Sequence, residues 1–253
     1  MPRYFIELAY KGTAYAGFQV QQNANTIQAE VEKALKTYFR RPFELTGSSR
    51  TDAGVHAAQN WFHFDSEPVI NKEDAEKAIY HLNAILPGDI VIKSIRQVRE
   101  AAHSRFDAIS RSYQYTIYHL KDPFLADKAW YYPFPVDIAA LNAAAAMLKD
   151  YSNFQSFSKK NTQVFTYECV IGKSRWTGEG NRLVYSVTGN RFLRGMVRGL
   201  VGTMLHVGRG KASAEDFRRL IENRDAAKTD FSAPAKGLIL EAVLFPAEIF
   251  QII

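Results

Sequence analysis

Cysteine is all but missing: Cys169 is the only one in 253 residues. A disulfide framework within the chain is therefore impossible, and a Cys-rich zinc site is excluded. The six histidines (His56, His63, His81, His103, His119, His206) show no His-Glu-x-x-His or other close ligand spacing, so nothing supports a metal site. No Gly-x-Ser-x-Gly elbow is present, which leaves serine hydrolase chemistry without its nucleophile. "GRGKAS" at Gly208–Ser213 looks like part of a phosphate loop. The first glycine of that motif would fall on Leu205, however, and the segment follows a helical pattern, not a strand. No apolar run reaches membrane-spanning length, and the first residues lack the apolar core of a signal peptide. The expectation is a cytoplasmic protein without a membrane partner.

Negative charge is missing from one long stretch. Between Gly180 and Ala214 stand six cations (Arg182, Arg191, Arg194, Arg198, Arg209, Lys211) and no acidic residue. That stretch alone equals the net charge of the chain, +6. A solvated basic face is one reading; a surface that binds the phosphates of a polyanion is the other, and the concentration of charge favours it.

What is present alternates between strand and helix patterns. Tyr4–Tyr10 alternates as a strand. A helix follows from Thr26 to Phe39, with Ile27, Val31, Leu35 and Tyr38 on one face, a cap at Asn25 or Thr26, and Pro42 beyond its end. Strands are expected at Phe43–Leu45 and Ala57–Phe64, a helix from Asn71 to Ile85 stopped by Pro87-Gly88, and a strand at Asp89–Val98. That order is β-α-β-β-α-β, a ferredoxin-like unit. A second pass opens with "SYQYTIYHL", which echoes "RYFIELAY". It continues with a helix capped by Asp137, strands at Tyr167–Trp176 and Leu183–Thr188, a helix from Phe192 to Val207, another opened by the capping box Ser213-x-x-Asp216, and a last strand at Leu238–Phe245. The expectation is two related α+β halves, residues 1–103 and 104–253.

Three stretches carry chemistry. The first is "GSSRTDAGVHAAQNWFHF", Gly47–Phe64, a loop running into a strand. Asp52 alone would be an ordinary turn or cap residue. Its setting is less ordinary: Arg50 lies two residues away, Gly54 permits close backbone approach, and the strand anchors the loop on a sheet. A nearby arginine lowers a carboxylate pKa by roughly 1–3 units and offsets burial, which favours an ionised aspartate. The second is the Phe192–Val207 helix. At 100° per residue Phe192, Met196, Leu200 and Met204 form an apolar side, while Arg191, Arg194 and Arg198 fall opposite, with Gly195, Gly199 and Gly202. Each mid-helix glycine costs about 1 kcal/mol against alanine, so three in eight residues need a cause: close approach by another backbone, either protein or phosphodiester, or tight helix–sheet packing. The three arginines along the same stripe favour RNA or a buried carboxylate. The third, "SRFDAISRSYQYTIY", interleaves Arg105 and Arg111 with Phe106, Tyr113 and Tyr115, planes of the kind that stack on unpaired bases. One tyrosine is expected to reach a site and the other to pack.

Taken together, these residues resemble a known family. "GSSRTDAGVHA" is similar to the Arg-Thr-Asp-Ala-Gly-Val-His-Ala signature of the tRNA pseudouridine synthase A family. "YKGTAYAGFQVQQNANTIQAEVEKAL", "LNAILPGDIVI", "RFDAISRSYQY", "NRFLRGMVRGLVGTMLHVGRGK" and "APAKGLIL" match its further motifs in order, over nearly the whole chain. Four positions depart from the pattern: Ser48-Ser49 replace the commoner Ala-Gly, and Gly195 and Gly199 stand where His and Asn are frequent.

The resemblance implies a pseudouridine synthase fold, α+β, with two ferredoxin-like halves sharing a continuous mixed sheet flanked by helices, and a basic cleft between them. It implies Asp52 as the catalytic aspartate, Tyr113 as the aromatic against the target base, Arg198 as the cation pairing with Asp52, and Leu238 in the base pocket. Arg50, Arg191, Arg194 and Arg105 are the expected RNA contacts. Family members act as homodimers on uridines 38 to 40 of the tRNA anticodon arm, without metal or cofactor. The apolar end "EIFQII" also suggests a surface that needs covering. An RNA-binding or RNA-folding protein that has lost catalysis is the alternative, and the intact Arg50-Thr51-Asp52 argues against it. A glycoside or nucleoside hydrolase would want a second carboxylate; only Glu44 lies within twelve residues of Asp52.

Overall fold

The structure is a computed structural model that describes residues 1–67, 69–159 and 165–250. The chain forms two compact units, Met1–Ile109 with the described residues from Leu240 on, and Ser110–Ile239.

The first unit holds β1 (Arg3–Tyr10), α1 (Ile27–Phe39), β2 (Thr46–Gly47), β3 (His56–Asp65), α2 (Lys72–Ile85) and β4 (Ile90–Val98). Its antiparallel strands lie in the order β4-β1-β3, with β2 on β3, which is the arrangement of a ferredoxin-like unit. Thr26 caps α1 by accepting the Ala29 N–H, and Arg40 ends it in the left-handed region, two residues before Pro42. Ile27, Val31, Ala34 and Leu35 are its buried face; Tyr38 is only half-buried, against Phe39 and His81. Asn71, expected as the first residue of α2, is instead its cap and accepts the Asp74 N–H. The strand expected at Phe43–Leu45 is instead an irregular segment, because Phe43 turns inward to meet Phe39 and Phe64 edge-on; pairing begins only at Thr46.

The second unit holds β5 (Ser110–Tyr118), β6 (Trp130–Tyr131), α3 (Ile138–Met147), β7 (Ile171–Glu179), β8 (Arg182–Gly189), α4 (Met196–Gly208) and α5 (Ala214–Asn223). A ninth strand, β9 (Leu238–Leu244), ends the described strands and lies beside β3 in the first unit. The order β5-β8-β7 is antiparallel, with β6 parallel to β5. Asp137 caps α3, and Ser213 with Asp216 closes the capping box of α5. The strand expected from Tyr167 starts only at Ile171. Before it, the Cys169 N–H bonds Ser152 O and Tyr167 O accepts the Phe154 N–H, so this backbone pairs with 152–154.

Both units protect an outer strand in the same way. Asn83 of α2 exchanges two hydrogen bonds with the Ile92 backbone in β4, at 2.8 and 2.9 Å. Asn142 of α3 does the same with Trp176 in β7, at 2.9 and 3.0 Å. Each amide occupies an N–H and a C=O that the strand would otherwise present as an edge.

The helix α4 starts four residues later than the periodicity suggests. Gly195, at φ 74°, is its N-cap, so Arg191, Phe192 and Arg194 belong to the preceding loop and only Arg198 of the three arginines is helical. Gly199 and Gly202 are indeed mid-helix, and what approaches them is the protein's own: side chains at Gly199 and backbone at Gly202. A Cβ on Gly199 would meet Phe231 and Thr229 at 2.8 and 2.9 Å; one on Gly202 would strike the Asp230 carbonyl. Of the apolar end, Ile249 is fully buried and the Phe250 ring packs edge-on against Phe5 and Phe245, while residues 251–253 lie outside the described residues.

Candidate active site

The loop carrying Asp52 is clamped from both sides within the first unit. On one side lies the segment after β1. Phe18 N donates to Thr51 O at 3.1 Å, Gly54 N to Tyr15 O at 3.3 Å, and Gly12 N to His56 Nδ1 at 3.0 Å. Gly12 has to be glycine, since a Cβ would overlap the Val55 carbonyl. Gly54 takes φ 78°, and the Val55 N–H returns to Asp52 O at 3.1 Å, closing the turn around the aspartate. Tyr15 is tied down in turn: its hydroxyl donates to Asp89 Oδ1 at 2.5 Å, and burial with this carboxylate pushes its pKa up.

On the other side is a buried polar hub. Asn60 has no exposed surface. Its Oδ1 accepts from Ser48 Oγ at 2.8 Å and from Trp61 N at 2.9 Å, and its Nδ2 donates to Ser49 O and to the Tyr10 hydroxyl, both at 3.0 Å. The Tyr10 hydroxyl shares a 2.8 Å bond with Thr51 Oγ1. Every donor and acceptor of the Asn60 amide is used. Below the loop the Phe18 ring stacks on Phe62 at 4.5 Å and fills the space beside Gly47, where any side chain would collide with it. Thr51 is thus buried and bonded through both its carbonyl and its hydroxyl, Asp52 is half-buried, and Arg50 is exposed at the surface of the loop.

Arg105 sits on a separate loop of the same unit. That loop is built on itself: His103 N donates to Asp107 Oδ2 at 2.7 Å, and His103 Nδ1 accepts the Arg105 and Phe106 N–H groups at 3.1 and 3.3 Å. Ser104 docks it, its Oγ donating to Thr46 O at 2.8 Å and its N–H reaching His63 Nδ1 at 3.2 Å. Burial holds the His63 imidazole down to a pKa of about 4, and Arg3 and His103 add to the effect. Arg105 stacks near an exposed Phe106 ring, 5.7 Å from its centroid.

In the second unit, Tyr115, Arg198 and Leu238 meet at the segment 233–238. Tyr115 is the packing tyrosine: it is fully buried, its hydroxyl donates to Pro234 O at 2.8 Å, and Gly237 lies flat against its ring. Burial raises its pKa, and the Arg198 guanidinium opposes the rise, which places that cation close by. Arg198 Nε donates to Ala233 O at 2.6 Å. Leu238 follows directly and is buried at the start of β9. Tyr113, two residues from Tyr115 on the same strand face, is half-buried and meets the Phe192 ring edge-on at 5.1 Å. Arg191 and Arg194 occupy the loop before α4; the Arg194 carbonyl accepts the Lys159 N–H at 3.1 Å.

The amide hub and Tyr10 escape a reading of sequence alone. Their trace is there nonetheless: Asn60 shares a strand face with Phe62 and Phe64, and a polar residue in that register has to be satisfied internally. Among the described residues no group of three or more His, Cys, Asp or Glu is placed to hold a metal ion, and no helix is long and apolar enough to cross a membrane.

The family model described as tRNA pseudouridine synthase matches residues 8–107 and 144–246, which take in the Asp52 loop, Arg198 and Leu238. A tRNA pseudouridine synthase A of Porphyromonas gingivalis is 45% identical over 99% of this chain and 100% of its own length. One from Bacteroides thetaiotaomicron is 44% identical over 99% of this chain and 93% of its own. A more distant one from Staphylococcus saprophyticus keeps 37% identity over 98% and 93%. The chain belongs to the tRNA pseudouridine synthase family.

Proposed function

We propose that this protein isomerises uridine to pseudouridine in the anticodon stem-loop of tRNA, at positions 38 to 40, with Asp52 as the nucleophile. The observation that carries the reading is the clamped Asp52 loop in a chain that shares 45% identity, end to end, with a tRNA pseudouridine synthase A. The reaction breaks the C1′–N1 bond, turns the uracil, joins C5 to C1′ and removes the C5 proton. No atom is gained, so the chemistry asks for no cofactor. Asp52 attacks C1′ or assists formation of a glycal, as carboxylates do at the anomeric carbon of sugars.

The target base has to leave its stack, at a cost of a few kcal/mol. Arg50, exposed on the same loop, fills the vacated space or holds phosphate. Arg198 is the cation partner of Asp52, Tyr113 lies against the base, and Leu238 lines its pocket. Arg191, Arg194 and Arg105 bind backbone phosphates, which position the RNA and carry no sequence information. The protein works as a homodimer in the cytoplasm.

Incubation with unmodified tRNA, followed by chemical mapping of pseudouridine, tests this reading. The expected product is pseudouridine in the anticodon arm and no free uracil. Release of uracil would make the protein a nucleoside hydrolase. Tight tRNA binding without any pseudouridine would make it an RNA-binding protein.

A further inference from the structure

The network under the Asp52 loop is more elaborate than the fold requires. The backbone bonds from Gly12–Phe18 already fix the path of the loop. The side chains of Ser48, Asn60, Tyr10 and Thr51 add a continuous chain of hydrogen bonds through a region otherwise filled by Phe18, Phe62 and Ala57. Buried polar chains are costly when any member goes unmet, and an apolar side chain of similar volume at Tyr10 or Asn60 would pack there with less risk. The chain also has a direction. It starts at Ser48 and Ser49, on the entering limb of the loop, and ends on the hydroxyl of Thr51, the residue next to Asp52.

We propose that Tyr10 and Asn60 are positioning residues, which hold Thr51 and through it set the direction of the Asp52 carboxylate. This rests on Asp52 being the reactive group. Asn60 sets the spacing between the entering limb and β3, and Tyr10 carries that setting across to Thr51 from β1, the neighbouring strand. Loss of the Tyr10 hydroxyl leaves one Asn60 N–H and the Thr51 hydroxyl without their partners, while the ring keeps its place beside Phe18 at 6.1 Å. The backbone clamp survives and tRNA still binds. Misplacement of a reacting atom by about 1 Å costs on the order of 100-fold in rate.

The test compares Tyr10→Phe, Thr51→Val, the double variant, Thr51→Ser and Asp52→Ala with the unaltered full chain. Single-turnover pseudouridine formation at saturating tRNA, the tRNA dissociation constant and the melting temperature are measured for each. Tyr10→Phe and Thr51→Val are expected to slow the chemical step roughly 10- to 100-fold, with the dissociation constant unchanged. The double variant is expected to be no slower than the worse single, because both break one link, and Thr51→Ser, which keeps the hydroxyl, is expected to react near the original rate. A merely structural role would lower the melting temperature and leave the rate per folded molecule intact, and that result overturns the inference. So does additivity in the double variant. Turnover by Asp52→Ala refutes the nucleophile itself; an inert Asp52→Ala beside a fully active Tyr10→Phe refutes only the positioning role.

Discussion

Gly202→Ala separates two expectations of opposite sign. Gly202 lies inside α4, where alanine is favoured over glycine by about 0.8–1 kcal/mol from helix propensity alone. The structure sets a larger cost against this gain. The added Cβ would lie closer than 3.0 Å to the Asp230 carbonyl oxygen, with Asp230 Cγ at 3.1 Å and its carbonyl carbon at 3.2 Å. These atoms are held: Asp230 N donates to Thr203 Oγ1 at 3.2 Å, Asp230 Oδ1 accepts the Ser232 N–H at 2.8 Å, and Oδ2 meets His206 Nε2 at 2.9 Å. Overpacking of this kind costs about 1–3 kcal/mol, and pushing Asp230 away sacrifices hydrogen bonds of about 1 kcal/mol each. The net expectation is a loss of about 2 kcal/mol, read by urea denaturation at equilibrium. Activity should fall further than stability, because the displaced segment leads to Ala233, whose carbonyl accepts from Arg198. Gly88→Ala, with none of the described residues within 4 Å of its Cβ, is the control and should change stability little. A Gly202→Ala protein more stable than the original would show that helix propensity wins and that the close approach of Asp230 is not what keeps glycine there.

Ser49 Oγ is buried and has no hydrogen-bond partner among the described residues, so Ser49→Ala should raise stability by about 1 kcal/mol in the same urea assay; a loss would mean that the hydroxyl is bonded. The His63 imidazole has a folded pKa of about 4, below its ordinary value of 6.5, because it is buried and the nearby Arg3 and His103 disfavour a further positive charge. The unfolded chain therefore binds the extra proton first, and the stability this group contributes is present above about pH 6.5 and lost as pH falls towards 4. Melting temperatures across that window should decline, and His63→Gln should flatten the decline; an unchanged slope would contradict the assignment. Asn142→Ala and Asn83→Ala each remove two bonds to an outer strand and should each cost about 1–2 kcal/mol, with faster amide exchange at Trp176 and Ile92 respectively.

The order of the elements was legible in the sequence because their caps and periods are strong. Asp137 and Ser213-Asp216 cap the helices that they were expected to cap, Thr26 is the one of the two candidates that caps α1, and Asn71, expected as the first helical residue, is the cap of α2. Boundaries went astray where tertiary contacts override local pattern. Phe43 reads as strand but turns inward on Phe64, and Tyr167 reads as strand but its backbone bonds residue 154. The arginine stripe failed for a different reason. A periodicity argument has no means of seeing that Gly195 adopts φ 74° and starts the helix there, which removes Arg191 and Arg194 from it. For the two mid-helix glycines the need for close approach was evident, yet the partner, Thr229–Phe231, lies some thirty residues away. The Asp52 loop was visible as a motif, whereas its support was not: Tyr10, Asn60 and His56 come from two strands and meet only once these are paired in register.

The central claim is that Asp52 performs the reaction. Tritium release from tRNA labelled at uridine C5 tests it directly when the original protein and Asp52→Ala are compared at equal tRNA occupancy. The account predicts release by the original protein, none by Asp52→Ala, and the same tRNA affinity for both. Release by Asp52→Ala at the original rate would contradict it.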